Sequence, residues 1–239
     1  MVAVKSNCAG ALRLLSGRGS DSGVERWCQT GPNRGEPFGE EEIINAILEP
    51  AGLLKPGELA VDIGAWDGYY LSNVRHLKER HGFELLLFDG DGRGNPEVHQ
   101  QFFTCENVME ALRDVPDQFA VLSLDIDGFD YWLRKSITLH PALIVMEFQG
   151  TLDPLIPVTV PYQPDGPIWK EGDGNHFGAS WSAIKNLNES LGYQYVMQCG
   201  GLNAFFVRED LARPEMPWNP NPPPVYRYHR KKPGVWLAV

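Results

Sequence analysis

The sequence lacks the features that mark several classes of protein. It has no CxxC pair and no Cys/His cluster at zinc spacing. We therefore expect its few cysteines to be free thiols in a reducing compartment. No apolar run approaches the roughly 18 residues that a membrane-spanning helix needs, since the run 142–146 is interrupted by Glu147. Its four cysteines are far apart: Cys8, Cys28, Cys105 and Cys199.

Basic charge is also scarce. Lys and Arg number 21 against 31 Asp and Glu, so the formal net charge is −10. Broad contact with nucleic acid needs a basic face. The balance therefore favours small-molecule chemistry, with neither nucleic acid nor a membrane as partner. The N-terminus begins without the basic region that is typical of a signal peptide, and we interpret it as a cytoplasmic start.

The length of 239 residues fits one large domain with appendages. Residues 1–40 are rich in Gly, Ser and Arg and are predicted to form an N-terminal extension, a candidate lid. Residues 41–210 form the main predicted domain, in which the Pro- and Gly-rich stretch 149–177 is a substrate-binding insertion. Residues 211–239 form a Pro-rich, basic tail.

Strand-like apolar runs and helical patterns alternate along the main domain. Helices are predicted at residues 40–48, 70–80, 107–113, 129–137 and 178–191, the last capped by Ser180. Strands are predicted at residues 59–63, 84–88, 102–105, 119–124, 142–146, 193–198 and 203–207. This order predicts an α/β, Rossmann-like fold: a mostly parallel seven-stranded sheet with a terminal antiparallel hairpin and helices on both faces.

Acidic side chains follow the predicted strands where each one ends. In an open α/β sheet, ligands bind outside these carboxyl ends. A buried strand end is a costly place for a carboxylate without a partner, so several acids at one edge indicate a polar ligand or a cation. A helix N-cap is the alternative role for any one of them. The acids are Asp62, Asp89, Asp125, Asp127 and Glu147.

The turn after the first strand reads DIGAWDG, from Asp62 to Gly68. A dinucleotide fingerprint would place a second glycine where Trp66 stands, so that the backbone could approach a pyrophosphate. Its absence disfavours a diphosphate. Asp89 lies 25 residues after Gly64, where an acid can bind the two hydroxyls of a ribose. The pattern favours a nucleoside with a cationic tail, such as S-adenosylmethionine (SAM).

Several stretches together resemble the class I SAM-dependent methyltransferases, and more narrowly their FkbM-type group. They are VDIGAWDGYYLSN, LLLFDGD, LSLDIDGFDYW, LIVMEFQG and the late HFGASWSAIKNLNESLGY with LNAFFVRED. The resemblance covers residues 59–210 and implies a small-molecule methyltransferase of biosynthetic metabolism. The late segments are its most distinctive part.

The resemblance also implies roles for individual residues. Asp62, Gly64 and Gly68 would lie along the methionine part of SAM. Asp89 would hold the ribose hydroxyls, although a Glu is more usual at this position, so the contact could shift to Asp91.

Two further roles follow from the same resemblance. Glu106 and Asn107 would lie near the adenine, with Asn107 or the backbone after it reading the adenine edge. Asp125 would sit beside the methionine amine and the transferred methyl group.

Methyl transfer to oxygen needs a base or a metal that favours the alkoxide. Asp125, Asp127 and Glu147 could together hold Mg²⁺ or another hard divalent cation. Otherwise they would serve the SAM amine, a substrate and a helix cap. His176 is a candidate general base or metal ligand, with a surface-loop histidine as the alternative. The predicted catalytic residues are therefore Asp125, His176 and Glu147.

The function expected from the sequence is SAM-dependent methyl transfer to a small molecule, at oxygen. Two rivals remain: an enzyme of the same fold that cyclises or cleaves SAM, and a non-catalytic SAM-binding protein. Tyr162 and Trp169 in the insertion are candidates for an apolar lid over the site. The sequence leaves the acceptor and the oligomeric state open, a homo-oligomer included.

Overall fold

A computed structural model describes residues 39–70, 72–164, 176–225 and 235–239. The helices are α1 (Glu40–Leu48), α2 (Arg75–His81), α3 (Val108–Ala111), α4 (Asp130–Ser136) and α5 (Trp181–Ser190). The strands are β1 (Leu59–Ile63), β2 (Glu84–Asp89), β3 (Val98–Gln100), β4 (Val121–Leu124), β5 (Leu143–Glu147), β6 (Val158–Thr159), β7 (Tyr193–Cys199), β8 (Asn203–Arg208) and β9 (Leu237–Ala238). Short 3₁₀ turns occur at Gly92–Gly94 and Glu209–Leu211.

Seven strands form one sheet in the order β3-β2-β1-β4-β5-β8-β7. The first five are parallel, and β8 runs antiparallel to both β5 and β7. The predicted Rossmann-like sheet with its terminal hairpin is therefore confirmed. A second antiparallel pair, β6 with β9, was not predicted. It joins the insertion to the end of the chain.

The sheet is buried on both faces because apolar side chains alternate along its strands. On β4, Leu122 and Leu124 pack in one core with α3, α4 and α5. Val121 points to the opposite core, which contains the apolar stripe of α1 and Leu77 of α2. The two cores are called here the α3–α5 face and the α1/α2 face. This alternation decides on which face each polar side chain at a strand end lies.

The third strand lies earlier than predicted. Residues 98–100 pair with β2, through Leu87 opposite Val98, whereas a strand was expected at 102–105. The segment 102–107 is instead a turn closed by one amide side chain. Asn107 Oδ1 accepts from the Thr104 N–H at 2.8 Å, and Asn107 Nδ2 donates to the Phe102 carbonyl at 2.9 Å. An Asx-type bond of this kind competes with strand pairing.

The second helix begins later than predicted, at Arg75 rather than at residue 70. Asp67 Oδ1 accepts the N–H groups of Tyr69 and Tyr70, at 2.9 and 2.7 Å, and so closes a turn before the helix. Gly82, with φ 71°, ends the helix in a left-handed cap.

One cysteine differs from expectation. Cys105 is a free thiol, but Cys199 at the end of β7 is disulfide-bonded, so the expectation of four free thiols is wrong. The predicted lid 1–40 lies outside the described residues except for its last two. Trp169 and the basic stretch 227–232 also lie outside them. Among the residues that the structure describes, no helix is long and apolar enough to cross a bilayer.

His76 should make the fold sensitive to acid. Its ring is buried in α2, and burial, helped by the charges of Arg80 and His81, lowers its pKa from 6.5 to about 4. The folded state therefore favours the neutral ring. The free energy that His76 contributes to folding is fully present above pH 6.5 and is lost as the pH falls from 6.5 to 4. Through this group, we expect the free energy of unfolding to fall by about 2–3 kcal/mol as the pH drops from 6.5 to 4.

Urea unfolding at a series of pH values tests this expectation. In His76→Leu, the fall between pH 6.5 and pH 4 should shrink by that amount, whereas His99→Leu, at an exposed position, should keep the wild-type slope. An unchanged slope in His76→Leu would contradict the assignment.

Candidate active site

Three carboxylates meet at the carboxyl edge of the sheet. Asp125 and Asp127 follow β4, and Glu147 is the last residue of β5. One carboxylate oxygen from each lies within 4.8 Å of the others, and Asp127 and Glu147 are buried. The structure therefore brings together the three residues that the sequence predicted as a metal site. Three like charges in a buried place repel each other unless a cation or protons compensate them.

Asp130 fixes the loop that carries two of these carboxylates. Its two oxygens accept from the N–H groups of Ile126 and Gly128, at 2.8 and 2.9 Å. Between them, Asp127 adopts φ 55°, a left-handed conformation that is uncommon outside glycine. Burial raises the pKa of Asp130 from 3.8 to about 6, and the charge of Asp125 adds to this shift. Sequence reasoning missed Asp130, because its partners are backbone atoms.

A first polar row crosses the α1/α2 face beside the acid cluster. Asp62 of β1 stands in register with Ser123 of β4, and both are fully buried. Ser72 donates its hydroxyl to Asp62 at 2.8 Å, and Asn73 Nδ2 donates to the Ser123 hydroxyl at 3.1 Å. The chain segment before α2 thus covers this row with polar side chains.

A second row lies one step nearer the edge of the sheet. Glu147 of β5 stands in register with Asn203 of β8, and Asn203 Nδ2 donates to Glu40 Oε1 of α1 at 2.6 Å. Gln149 lies just beyond Glu147 and is also buried. Its Oε1 accepts from the Thr151 hydroxyl at 2.9 Å. Sequence reasoning missed Asn203 and Gln149. The only available signal was their position at predicted strand ends.

The glycine turn after β1 closes against the end of β2. The N–H groups of Gly64 and Ala65 both donate to the Phe88 carbonyl at 2.8 Å. Gly64 has φ 95°, which favours glycine, and Trp66 adopts φ 55°. The Trp66 N–H donates to Asp89 Oδ2 at 3.0 Å, and the Arg93 guanidinium lies 3.6 Å from the centre of the Trp66 ring. The tryptophan therefore takes the backbone conformation that a second glycine would supply.

Asp89, the predicted ribose ligand, supports the backbone in this structure. Besides the Trp66 N–H, its Oδ1 accepts from the Asp91 N–H at 2.9 Å, and the residue is buried. Asp91 is half-exposed, and Arg93 lies 3.3 Å from its carboxylate. The ribose contact stays a prediction for both acids.

Gly68 has a structural reason to be glycine. It adopts φ 77°, and a Cβ there would lie 2.9 Å from Val98 Cγ2 and 3.1 Å from Leu87 Cδ1. This crowding comes from the protein itself. The role of Gly68 as a contact of SAM stays a prediction.

The predicted adenine loop contacts the insertion. The Tyr162 hydroxyl donates to Glu106 Oε2 at 2.6 Å and accepts from the Cys105 N–H at 3.0 Å. This bond lowers the pKa of the Glu106 carboxyl. Burial and the same carboxylate raise the pKa of the Tyr162 hydroxyl. The ring of Tyr162 also packs edge-on against Phe129, with centroids 5.2 Å apart. Asn107, predicted to read adenine, uses both ends of its side-chain amide within the turn described above.

His176, the predicted general base, contacts the end of the chain. Its Nε2 lies 2.9 Å from the Val235 carbonyl oxygen, and its ring packs edge-on against Trp236 at 5.0 Å. Among the described residues, the clustered metal-ligand atoms come from the three carboxylates alone. The Gly178 N–H donates to the Gly128 carbonyl at 2.7 Å, so the segment that carries His176 adjoins the acid loop. Its catalytic role stays a prediction.

No protein-family model and no curated protein matches this chain. Solved structures with a related chain path include one from Galdieria sulphuraria, described provisionally as a sarcosine dimethylglycine methyltransferase. It is 13% identical, covers 65% of this chain and 61% of its own, and has a TM-score of 0.39.

Two others were solved with S-adenosylhomocysteine. CalO1, a methyltransferase in calicheamicin biosynthesis, is 19% identical over 68% of this chain and 52% of its own, with a TM-score of 0.36. The N-terminal domain of EvdMO1, solved also with D-fucose, is 13% identical over 85% of this chain and 96% of its own, with a TM-score of 0.39. The chain thus spans 61% and 52% of the lengths of the first two. Similarities of this size do not assign it to a family.

Replacing Asp130 tests how the acid loop is held. Asp130→Ala removes the acceptor of two buried backbone N–H groups, and each unsatisfied group costs about 1–3 kcal/mol. Part of this loss is offset because the buried carboxylate no longer has to be desolvated. We expect the free energy of unfolding, measured in urea, to fall by about 2 kcal/mol. Asp114→Ala, at a side chain that is 93% exposed, is the control and should change little.

Proposed function

We propose that this protein is a SAM-dependent methyltransferase that acts on an oxygen atom of a small molecule. The observation that carries the proposal is the row of acids at the carboxyl edge of β1, β4 and β5, beside a glycine turn. This edge is where ligands bind in open α/β sheets. SAM carries a positive sulfonium and a positive amine. Acids gathered at this edge therefore suit it better than a diphosphate cofactor.

The cofactor roles follow from position. Asp62 and Gly64 would lie along the methionine part and Asp125 beside its amine, with Gly68 as a further candidate. Asp89 or Asp91 would bind the ribose hydroxyls, because both lie at the end of β2. Asp91 is the better candidate because it is half-exposed, whereas Asp89 is buried and already accepts two backbone N–H groups.

The loop that begins after β3 would approach the adenine, with Asn107 or the backbone after it at the edge of the base. Its contact with Tyr162 links this end of the cofactor site to the insertion. A substrate-binding role for residues 149–177 is supported by that link and by the bond from the Trp132 indole N–H to the Val160 carbonyl at 2.8 Å.

A divalent cation on Asp125, Asp127 and Glu147 would suit transfer to oxygen. Carboxylate oxygens are the ligands that Mg²⁺ and similar hard cations prefer. A bound cation of this kind lowers the pKa of a coordinated hydroxyl, which the acceptor oxygen needs before it can attack the methyl group. The carboxylates would position the acceptor, and His176 would take its proton if the segment that bears it turns toward the acid loop.

The partners and location proposed from the sequence are a small-molecule substrate, no nucleic acid and the cytoplasm. The Cys199 disulfide speaks against the last of these, because such bonds persist chiefly in oxidising compartments. Thiol counting on protein purified from its native cells, under non-reducing conditions, tests the location.

Binding of SAM to the full chain, measured by calorimetry, tests the cofactor. We expect Asp62→Asn to weaken binding by about 10-fold or more, since a charged hydrogen bond contributes about 1.5–3 kcal/mol. Asp91→Asn should have a smaller effect, and Asp114→Asn should bind as the wild type does. Failure of the wild-type protein to bind SAM, or undiminished binding when Asp62 and Asp89 are both replaced by Ala, would refute the proposal.

The products formed from SAM decide the reaction. With a panel of hydroxylated acceptors, mass spectrometry should find S-adenosylhomocysteine and an O-methylated product only when an acceptor is present. Chelation by EDTA should suppress turnover, and added Mg²⁺ should restore it. Methylthioadenosine formed without an acceptor would instead indicate the rival cyclase or lyase. Binding without turnover across the panel would indicate a non-catalytic SAM-binding protein.

A further inference from the structure

We propose that Asn203 supplies a fourth oxygen ligand to a divalent cation held by Asp125, Asp127 and Glu147, and that Glu40 orients this ligand. The inference rests on the cation of the proposed function and adds two residues to its site. Asn203 is 3% exposed, and its Oδ1 has no hydrogen-bond partner among the described residues. A buried amide oxygen without a partner is rare and costs free energy. A cation that binds the Asn203 oxygen would remove this cost.

The hydrogen bond to Glu40 fixes the orientation of the Asn203 amide. The Glu40 carboxylate can only accept a hydrogen bond when it is ionised. The atom of Asn203 that lies 2.6 Å from Glu40 Oε1 is therefore the amide nitrogen, and the O and N positions are not interchangeable here. With its nitrogen held by α1, the amide turns its oxygen away from Glu40.

The sheet register places Asn203 beside the acid cluster. Asn203 is directly opposite Glu147 in the antiparallel pair β5–β8. Directly opposite residues project from the same face, with Cβ atoms about 4.5–5.5 Å apart. The neighbours before Glu147 and after Asn203, Met146 and Ala204, both pack in the α3–α5 core. Glu147 and Asn203 therefore both point to the α1/α2 face.

The resulting donor set is that of a hard cation. Three carboxylates and one amide oxygen are the ligands that Mg²⁺, Mn²⁺ and Ca²⁺ take in proteins. The cation would compensate the repulsion within the cluster and would also satisfy the Asn203 oxygen. Four protein oxygens leave coordination positions for water or for the acceptor's own oxygen atoms. Acceptors with two neighbouring oxygen donors, such as vicinal diols, would then bind best.

Glu40 acts on this ligand as a positioning residue. It is the first residue of α1 and lies 163 positions before Asn203. A carboxylate in the first helical turn is favoured by the helix dipole. This helix end therefore carries both the negative charge and the hydrogen bond that hold the amide. Partners of this kind, which orient a metal ligand, typically change metal affinity by about 10–100-fold when removed.

Mn²⁺ binding to the full chain without SAM tests the inference, with free Mn²⁺ measured by electron paramagnetic resonance. We expect Asn203→Ala to weaken Mn²⁺ binding by about 10-fold or more and Glu40→Ala to weaken it measurably. The double variant Glu40→Gln, Asn203→Asp keeps an oxygen ligand and exchanges donor and acceptor in the bond between the two residues, so it should bind at least as tightly as the wild type. Gln194→Ala removes an exposed amide from β7, the neighbouring strand, and should have no effect. Asp127→Asn should abolish binding.

The outcomes separate this inference from the proposed function. If Asn203→Ala and Glu40→Ala, both folded by circular dichroism, bind Mn²⁺ as the wild type does while Asp127→Asn does not, Asn203 is not a ligand. If the wild-type protein binds SAM but no Mn²⁺, the cation site is overturned while methyl transfer stands. If it binds Mn²⁺ with the expected pattern but no SAM, the cation site stands and the methyltransferase proposal fails. Should Asn203→Ala not fold, Glu40→Ala and the double variant Glu40→Gln, Asn203→Asp still decide the inference.

Discussion

The cost of placing carboxylates at the buried ends of parallel strands is the constraint on which this site depends. A carboxylate removed from water needs hydrogen bonds or an opposite charge. Asp62 is fully buried and accepts from the Ser72 hydroxyl, while Asp89 accepts from two backbone N–H groups. Each acid thereby fixes the loop that serves it. The segment before α2 and the turns after β1 and β2 owe part of their conformation to acids that the strands place there.

The same constraint explains two unusual backbone positions. Trp66 and Asp127 both adopt φ 55°, a conformation that costs non-glycine residues about 1–3 kcal/mol. In each case a nearby carboxylate holds the backbone. Asp89 accepts from the N–H of Trp66 itself, and Asp130 accepts from the N–H groups on either side of Asp127. Asp89 and Asp130 thus hold this part of the sheet edge in shape by accepting backbone N–H groups.

The sequence allowed the sheet to be predicted because apolar runs ending in acids are a local signal. β1 was predicted with its observed bounds, and the meeting of Asp125, Asp127 and Glu147 followed from the rule that parallel strand ends share one edge. Hydrogen bonds between residues that are far apart in the sequence leave no such local signal and could not be predicted. The bond from Asn203 to Glu40 joins residues 163 positions apart, and His176 meets Val235 across 59 positions. The third strand was misplaced because a side-chain amide, rather than a strand partner, satisfies the backbone of residues 102–107.

The acids at the sheet edge fall into two groups, according to the atoms that their carboxylate oxygens approach. Those of Asp89 and Asp130 accept from the backbone, and their removal would loosen loops. Those of Asp125, Asp127 and Glu147 approach one another within 4.8 Å. Rotation of the side chains would relieve the repulsion if the loop were loose, but Asp130 holds the loop and the β5–β8 pairing holds Glu147. A scaffold that keeps like charges together would gain from the proposed cation, and the Asn203 amide oxygen would be a neutral ligand that adds no further repulsion. The proposed cation at the end of β5 would account for the positions of Asn203 and of the three acids together.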